Sequence, residues 1–308
     1  MNYTGIVVND GIGNQLFKIF ATLSYYIDNS QNYVLYTLPI NGYRKYYWDT
    51  LFSNISHKVS DKIEITKKYV APYFHYKKIP VDSDGETDGS GETDGSGETD
   101  GSGETDGSGE TDILLEGYFQ SHKYFEHNIN KIRRILGIDV KINDVLTKYP
   151  EYTREKTISV HYRMGDYFNL QAFHPVQKPE YYIEAFKALV RKGVDIYDYE
   201  ILYFCEANDN ATVNTYNLEI NNALKEYYGT GKDLKYKKIA DDVPDWCQLL
   251  IMTSSTHYII GNSTFSWFGA YLSSSQTPVI CYPSKWFGQN YEGTITDDLF
   301  PDSWLKVC

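Results

Sequence analysis

Short apolar runs alternate along this chain with longer stretches whose apolar residues recur at helical spacing. Gly5–Val8 reads as a buried strand, and Gly11-Ile12-Gly13-Asn14 as the turn after it. From Gln15 to Tyr26, Leu16, Phe17, Phe20 and Leu23 fall on one face of a helix. Tyr33–Thr37 and Ile113–Phe119 read as further strands, and a helix from about Ser121 to Leu136 closes the first half. The second half repeats the alternation. Strands are predicted at 157–162, 200–204, 235–239, 257–260 and 278–282. Helices are predicted at 179–191, 217–227 and 245–254, with another beginning at Ser266. Strands that alternate with helices imply parallel sheets covered on both faces. The expected fold is α/β, with two Rossmann-like domains at 1–155 and 156–308 facing a cleft.

One segment breaks the pattern. Residues 85–112 read GETDGS four times and then GETD. With the preceding Asp82-Ser83-Asp84, the tract (82–112) interrupts the first domain. The repeat has no apolar residue and no face to stack, so a mobile surface insertion is expected. It also carries ten of the acidic charges behind the net charge of −12, leaving −2 for the rest. The folded part is therefore near neutral, and nothing points to a nucleic-acid partner. Calcium binding by the repeat is a weaker alternative, because the spacing of an EF-hand loop is missing. Asp82-Ser83-Asp84 has the D-x-D form of a metal-holding motif, but its place beside the repeat favours an ordinary loop.

Cys205, Cys247, Cys281 and Cys308 form no C-x-x-C pair, so no zinc site or disulfide framework is expected. No run reaches the roughly 18–20 apolar residues of a membrane span, and the N-terminus has no basic leader. The expectation is a cytoplasmic protein without stable membrane insertion. The 30 tyrosines can stack on sugar rings, yet half-buried packing with the hydroxyl in water explains most of them equally well.

Three clusters carry candidate chemistry. His161-Tyr162-Arg163-Met164-Gly165-Asp166 follows a predicted strand. The guanidinium fork of Arg163 suits a diphosphate, Gly165 permits close backbone approach, and Asp166 can hold the arginine. Taken alone, a structural Arg–Asp ion pair explains the run as well. Gly261-Asn262-Ser263-Thr264-Phe265-Ser266 joins a strand to a helix, and a helix N-terminus with added hydroxyls is an anion site. Ordinary N-capping is the alternative. The Gly11, Gly13, Asn14, Gln15 turn resembles a nucleotide loop but lacks the last glycine of G-x-G-x-x-G.

In order, Gly-Ile-Gly-Asn-Gln-Leu-Phe, Glu116–Ser121, the His-x-Arg-x-Gly-Asp-Tyr run ending at Tyr167, and the Asn-Ser-Thr-Phe-Ser-Trp-Phe-Gly-Ala-Tyr-Leu run ending at Leu272 resemble the α-1,2-fucosyltransferase family, glycosyltransferase family 11. The resemblance extends from about residue 5 to Trp286. It implies a GT-B-type fold, a GDP-L-fucose donor, a glycan acceptor, and inverting transfer that needs neither metal nor cofactor. It places Arg163 on the departing diphosphate. His161, Gly165, Asn262, Ser263, Thr264, Phe265 and Ser266 lie around the donor, with Asp245 and Gln248 in the preceding helix. Gly11, Gly13, Asn14, Gln15 and Gln120 face the cleft from the first domain, which is expected to be the acceptor side, while 156–308 is expected to be the donor domain. The general base is left open between His161 and Asp166.

The chain departs from the family at four places. Met164 stands where a second arginine is usual, Gln248 where an aspartate is usual, Asp10 where a glycine is usual, and Phe268 where a second tryptophan is usual. A transferase for another GDP-sugar, or an inactive sugar-nucleotide or glycan-binding relative, is the alternative. Deleting Gly85–Asp112 is expected to leave the thermal unfolding midpoint within about 2 °C, the size of a change below 1 kcal/mol. A large drop in differential scanning calorimetry would show that the tract is structural.

Overall fold

The computed structural model describes residues 2–7, 10–30, 32–37, 45–62, 67–72, 74–80, 113–153 and 155–308. The acidic repeat and Asp82-Ser83-Asp84 lie outside the described residues.

The first half begins with β1 (Asn2–Val7), α1 (Ile12–Asn29) and β2 (Asn32–Thr37), and continues through β3 (Val59–Ser60), β4 (Lys67–Val70) and β5 (Ile113–Glu116). These strands form one parallel sheet in the order β3-β2-β1-β5-β4. Two helices follow, α2 (Ile129–Leu136) and α3 (Ile138–Lys148). The second half contains β6 (Thr157–His161), α4 (Pro179–Arg191), β7 (Glu200–Phe204), α5 (Asn210–Tyr228) and β8 (Lys235–Lys238). It ends with α6 (Asp245–Met252), β9 (His257–Ile259), α7 (Thr264–Tyr271), β10 (Ile280–Pro283) and β11 (Leu305–Val307). Its sheet is also parallel, in the order β11-β10-β9-β6-β7-β8. Numbered from its own first strand, that order is 3-2-1-4-5-6, the dinucleotide-binding arrangement. The α/β class with two Rossmann-like parallel sheets is borne out.

Several boundaries differ from the sequence reading. The helix expected from Gln15 starts at Ile12, so Gly13 and Asn14 lie in its first turn rather than in a loop. The helix expected from Asn217 starts at Asn210. The single helix expected up to Leu136 is two short 3-10 turns followed by α2. Gly137, at φ +64°, then breaks the chain and lets α3 start in a new direction. The edge strands β3, β4 and β11 have two to four residues, too few to show a period.

Side-chain alternation divides the second sheet into two faces. Ile158, Val160, Ile201, Tyr203 and Ile259 point into a core shared with α4 and α5. Leu202, Phe204, Tyr258 and Ile260 point to the opposite face, toward α6 and α7. That second core does not stop at the boundary between the halves. Phe17 and Phe20 of α1 pack on Trp267 and Phe268 of α7, with ring centroids 4.6–5.2 Å apart. Phe268, the residue in place of a second tryptophan, is fully buried in this cluster. Among the described residues, no helix is long and apolar enough to cross a membrane.

Gly13 fixes how closely α1 and α7 approach. A Cβ on Gly13 would lie 2.3 Å from the backbone carbonyl carbon of Thr264. Gly13→Ala is therefore expected to destabilise the fold by about 1–3 kcal/mol, the usual cost of overpacking. Gly231→Ala, where nothing lies within 4 Å, is the matched control. Chemical denaturation of both variants checks this; equal stabilities would remove the steric role.

Candidate active site

Where β6 and β9 lie side by side, the chain order of the sheet reverses. A parallel sheet opens a crevice at the carboxyl ends of strands at such a point. The end of β6 delivers His161 to Asp166, and the end of β9 delivers Gly261 to Ser266. The two turns touch: a Cβ on Gly261 would come within 3.0 Å of the His161 carbonyl oxygen and 3.5 Å of Arg163 Cβ.

The alternation of β6 decides which side chains reach the crevice. His161 points toward α7, and its Nδ1 lies 2.9 Å from Ser266 Oγ. Its ring sits 5.3 Å from that of Phe265. Burial, reinforced by the Arg163 charge, pushes the imidazole down to about 3. His161 is therefore neutral near pH 7 and poorly suited to taking up a proton; it serves as a hydrogen-bonding group. Tyr162 and Met164 point the other way, into the core under α4 and α5, and each is 1% exposed. Met164, which stands where a second arginine is usual, therefore packs its side chain in the apolar core.

Arg163 stands on the crevice side with most of its side chain covered. Nη1 pairs with Glu206 and Nη2 with Asp166, while the guanidinium carbon lies 4.6 Å above the Tyr167 ring. Burial opposes its charge, but Tyr167, Asp166 and Glu206 outweigh that and hold its pKa above the usual arginine value. The Tyr167 hydroxyl donates to the Asn262 carbonyl at 3.2 Å, tying the two turns together. Gly165 adopts φ +43°, and its N–H donates to the carboxylate of Asp209, 3.0 and 3.2 Å from the two oxygens. Burial raises the Asp209 carboxyl above its usual value. Glu206 and Asp209 were missed in the sequence. Their signal was position: they follow β7, the strand paired with β6.

The Ser/Thr turn divides into separate roles. Ser263 caps α7, accepting from the Phe265 N–H at 3.3 Å. Thr264 meets Gly13. The buried Asn262 acts as a brace. Its Nδ2 donates to the carbonyls of Pro175 (2.9 Å) and Trp286 (3.1 Å).

From the first half, α1 presents its N-terminus to that of α7. Gln120 Nε2 donates to Asn14 Oδ1 at 2.9 Å. Gln15 is fully buried and donates to the carbonyls of Asp10 and Lys45, both at 2.8 Å. Gly11 stands at the N-cap of α1 without a side-chain cap. Asp10 is paired with the buried Lys18 at 2.5 Å, so the acid in place of a glycine has its own cation. Burial lowers the Lys18 amine below its usual value despite Asp10.

Asp245 and Gln248 bond to other residues. Asp245 accepts from the Tyr47 hydroxyl and lies 3.2 Å from Lys45 Nζ, both from the first half. Gln248 Nε2 donates to the Val243 carbonyl at 2.8 Å, within its own helix start. Chemically, the crevice offers a guanidinium and the positive ends of α1 and α7 to an anion.

No family model matches the chain. Over 201 residues it is 26% identical to an alpha-1,2-colitosyltransferase of Escherichia coli, covering 62% of this chain and 61% of that protein. It is also 26% identical over 201 residues to the O-antigen biosynthesis glycosyltransferase WbnK of Escherichia coli, covering 63% and 60%. The resemblance to the α-1,2-fucosyltransferase family holds. The chain spans about three-fifths of the length of these relatives. Two solved structures overlap loosely, Arabidopsis thaliana FUT1 with GDP (TM-score 0.42, 11% identity, 91% of this chain and 69% of that one) and POFUT1 with GDP (0.43, 12%, 91% and 98%).

Glu206 occupies one Nη of Arg163 and so competes with an anion for it. Glu206→Gln is expected to tighten binding of inorganic pyrophosphate about two- to fivefold, the range for a partly exposed ion pair. Titration calorimetry reads this directly; unchanged or weaker binding would mean that Glu206 does not compete.

Proposed function

We propose that this chain is an inverting glycosyltransferase that moves L-fucose from GDP-fucose to a hydroxyl of a glycan acceptor, α-1,2 to a galactose-type residue. One observation carries the reading. Arg163 stands at the reversal point of a dinucleotide-type sheet, on the turn that touches the Ser263-capped N-terminus of α7. The relatives named as glycosyltransferases support sugar transfer, and the alpha-1,2 linkage named for one of them supports the linkage.

In this mechanism an acceptor oxygen attacks the anomeric carbon from the face opposite the diphosphate. The bond from that carbon to the β-phosphate oxygen breaks, and GDP leaves with the electron pair. Negative charge grows on the diphosphate, where Arg163 and the α7 N-terminus stabilise it without a metal. Binding releases Arg163 from one of its two carboxylates. Asp166, whose carboxylate is half-exposed, is then the carboxylate an acceptor hydroxyl can reach. His161 is ill suited, because its ring is buried and its Nδ1 is engaged with Ser266 Oγ. Its contact with Ser266 instead steadies the turn beneath the phosphates.

A second reading keeps the chemistry and changes the sugar. The relative named for colitose transfer favours it, since donor choice differs among otherwise similar chains.

Arg163→Ala is expected to lower turnover roughly 100- to 1000-fold, the size seen when a transition-state charge stabiliser is removed. Arg163→Lys should also be poor, because an ammonium cannot fork two oxygens. GDP release with lactose as acceptor, measured across GDP-fucose, GDP-mannose and GDP-colitose, tests enzyme and donor together. Near-normal turnover by Arg163→Ala would remove the assignment.

A further inference from the structure

A cavity of about 590 Å³ opens beside the crevice, on the β10 side of the switch point. Its volume lies within the range of small-ligand sites, roughly 300–1,000 Å³. Two loops at the carboxyl edge of the sheet build it: the one after β6, through Gln171 to Pro175, and the one after β10, through Ser284 to Thr296.

The loops are fastened to each other and to the crevice. The Gly288 N–H donates to the Phe173 carbonyl and the Asn290 N–H to the Ala172 carbonyl, both at 2.8 Å. Gly288 permits that crossing, because a Cβ there would lie 2.5 Å from the Ala172 backbone. Asn262, on the turn beside Arg163, holds a carbonyl from each loop, Pro175 and Trp286. A run of rings leads the same way. Tyr167, under the Arg163 guanidinium, stacks on His174 at 4.9 Å, and His174 lies 6.0 Å from Phe287 and 6.1 Å from Tyr291. Phe74 of the first half packs on Phe287 at 4.2 Å, so this wall also lies where the halves meet.

The lining defines a ligand class. The planar amides of Gln171 and Gln289 and the hydroxyls of Thr294 and Thr296 donate and accept hydrogen bonds without charge. Tyr291 supplies ring surface for the apolar face of a sugar, with the buried Trp286 behind the wall. Lys285 and Glu292 contribute one charge of each sign, so the cavity has no net attraction for a phosphate. We infer that this cavity is a subsite for a neutral hexose of the acceptor, distinct from the anion crevice at Arg163. As an acceptor subsite it rests on the transferase reading; as a neutral-sugar site it stands on its lining.

The probe is lactose, followed by saturation-transfer NMR on the full chain with and without saturating GDP, while GDP binding is followed by calorimetry. Lactose is expected to bind in both conditions. Gln289→Ala should weaken it about two- to tenfold, the loss of one or two neutral hydrogen bonds. Thr294→Trp, which fills the cavity from an exposed loop, should abolish it, while GDP binding in both variants shows that the fold is intact. Displacement of lactose by GDP would assign the cavity to the nucleotide and overturn the proposal. So would the absence of lactose binding, or unchanged binding in both variants. Lactose binding without any GDP binding would instead sink the transferase reading and leave a carbohydrate site.

Discussion

The contact between Gly13 and Thr264 is the constraint on which the arrangement of this protein depends. Helices α1 and α7 meet at their N-termini, closer than any side chain at residue 13 allows. Behind that contact, Phe17, Phe20, Phe125, Trp267 and Phe268 form one buried aromatic cluster spanning both halves. Burying these rings holds the halves in register, because such side chains bring large apolar areas out of water together. The same contact points two helix N-termini at one region beside the end of β6. Fold stability and site geometry thus rest on the same few residues.

The electrostatics of the crevice follow from what surrounds Arg163. One guanidinium faces Asp166 and Glu206 directly, with Asp209 held nearby by the Gly165 N–H. Without ligand, the acids satisfy the arginine and keep it positioned over Tyr167. On the proposed reading, a diphosphate would replace a carboxylate rather than fill empty space. Its affinity is therefore a difference between two anion contacts, tempered by helix ends that favour the more highly charged partner. His161 lies beneath this exchange, neutral because burial makes a second positive charge beside Arg163 too costly.

Much of the fold was legible because periodicity is strong where faces are buried. The spans of α4 and β7 agree with the sequence pattern to the residue. The alternation in β6 also bore on Met164. Val160, Tyr162 and Met164 occupy every second position, and all three are buried in one core. Elements without a period were not legible: the two-residue β3, and α3, which begins only because Gly137 turns the chain.

The candidate site shows the same division. Its ordered motifs and the strand-to-turn position of His161 and Arg163 were fixed by sequence alone, since local spacing places residues at strand ends. The partners were decided by tertiary structure. Glu206 and Asp209 reach Arg163 and Gly165 from the neighbouring strand, and Lys45 and Tyr47 reach Asp245 from the other half. Asn262 became a brace between two loops, and Gly13, read as part of a turn, became the point where two helices touch. Residues far apart in sequence meet only when the strand order of the sheet and the packing of α1 on α7 bring them together.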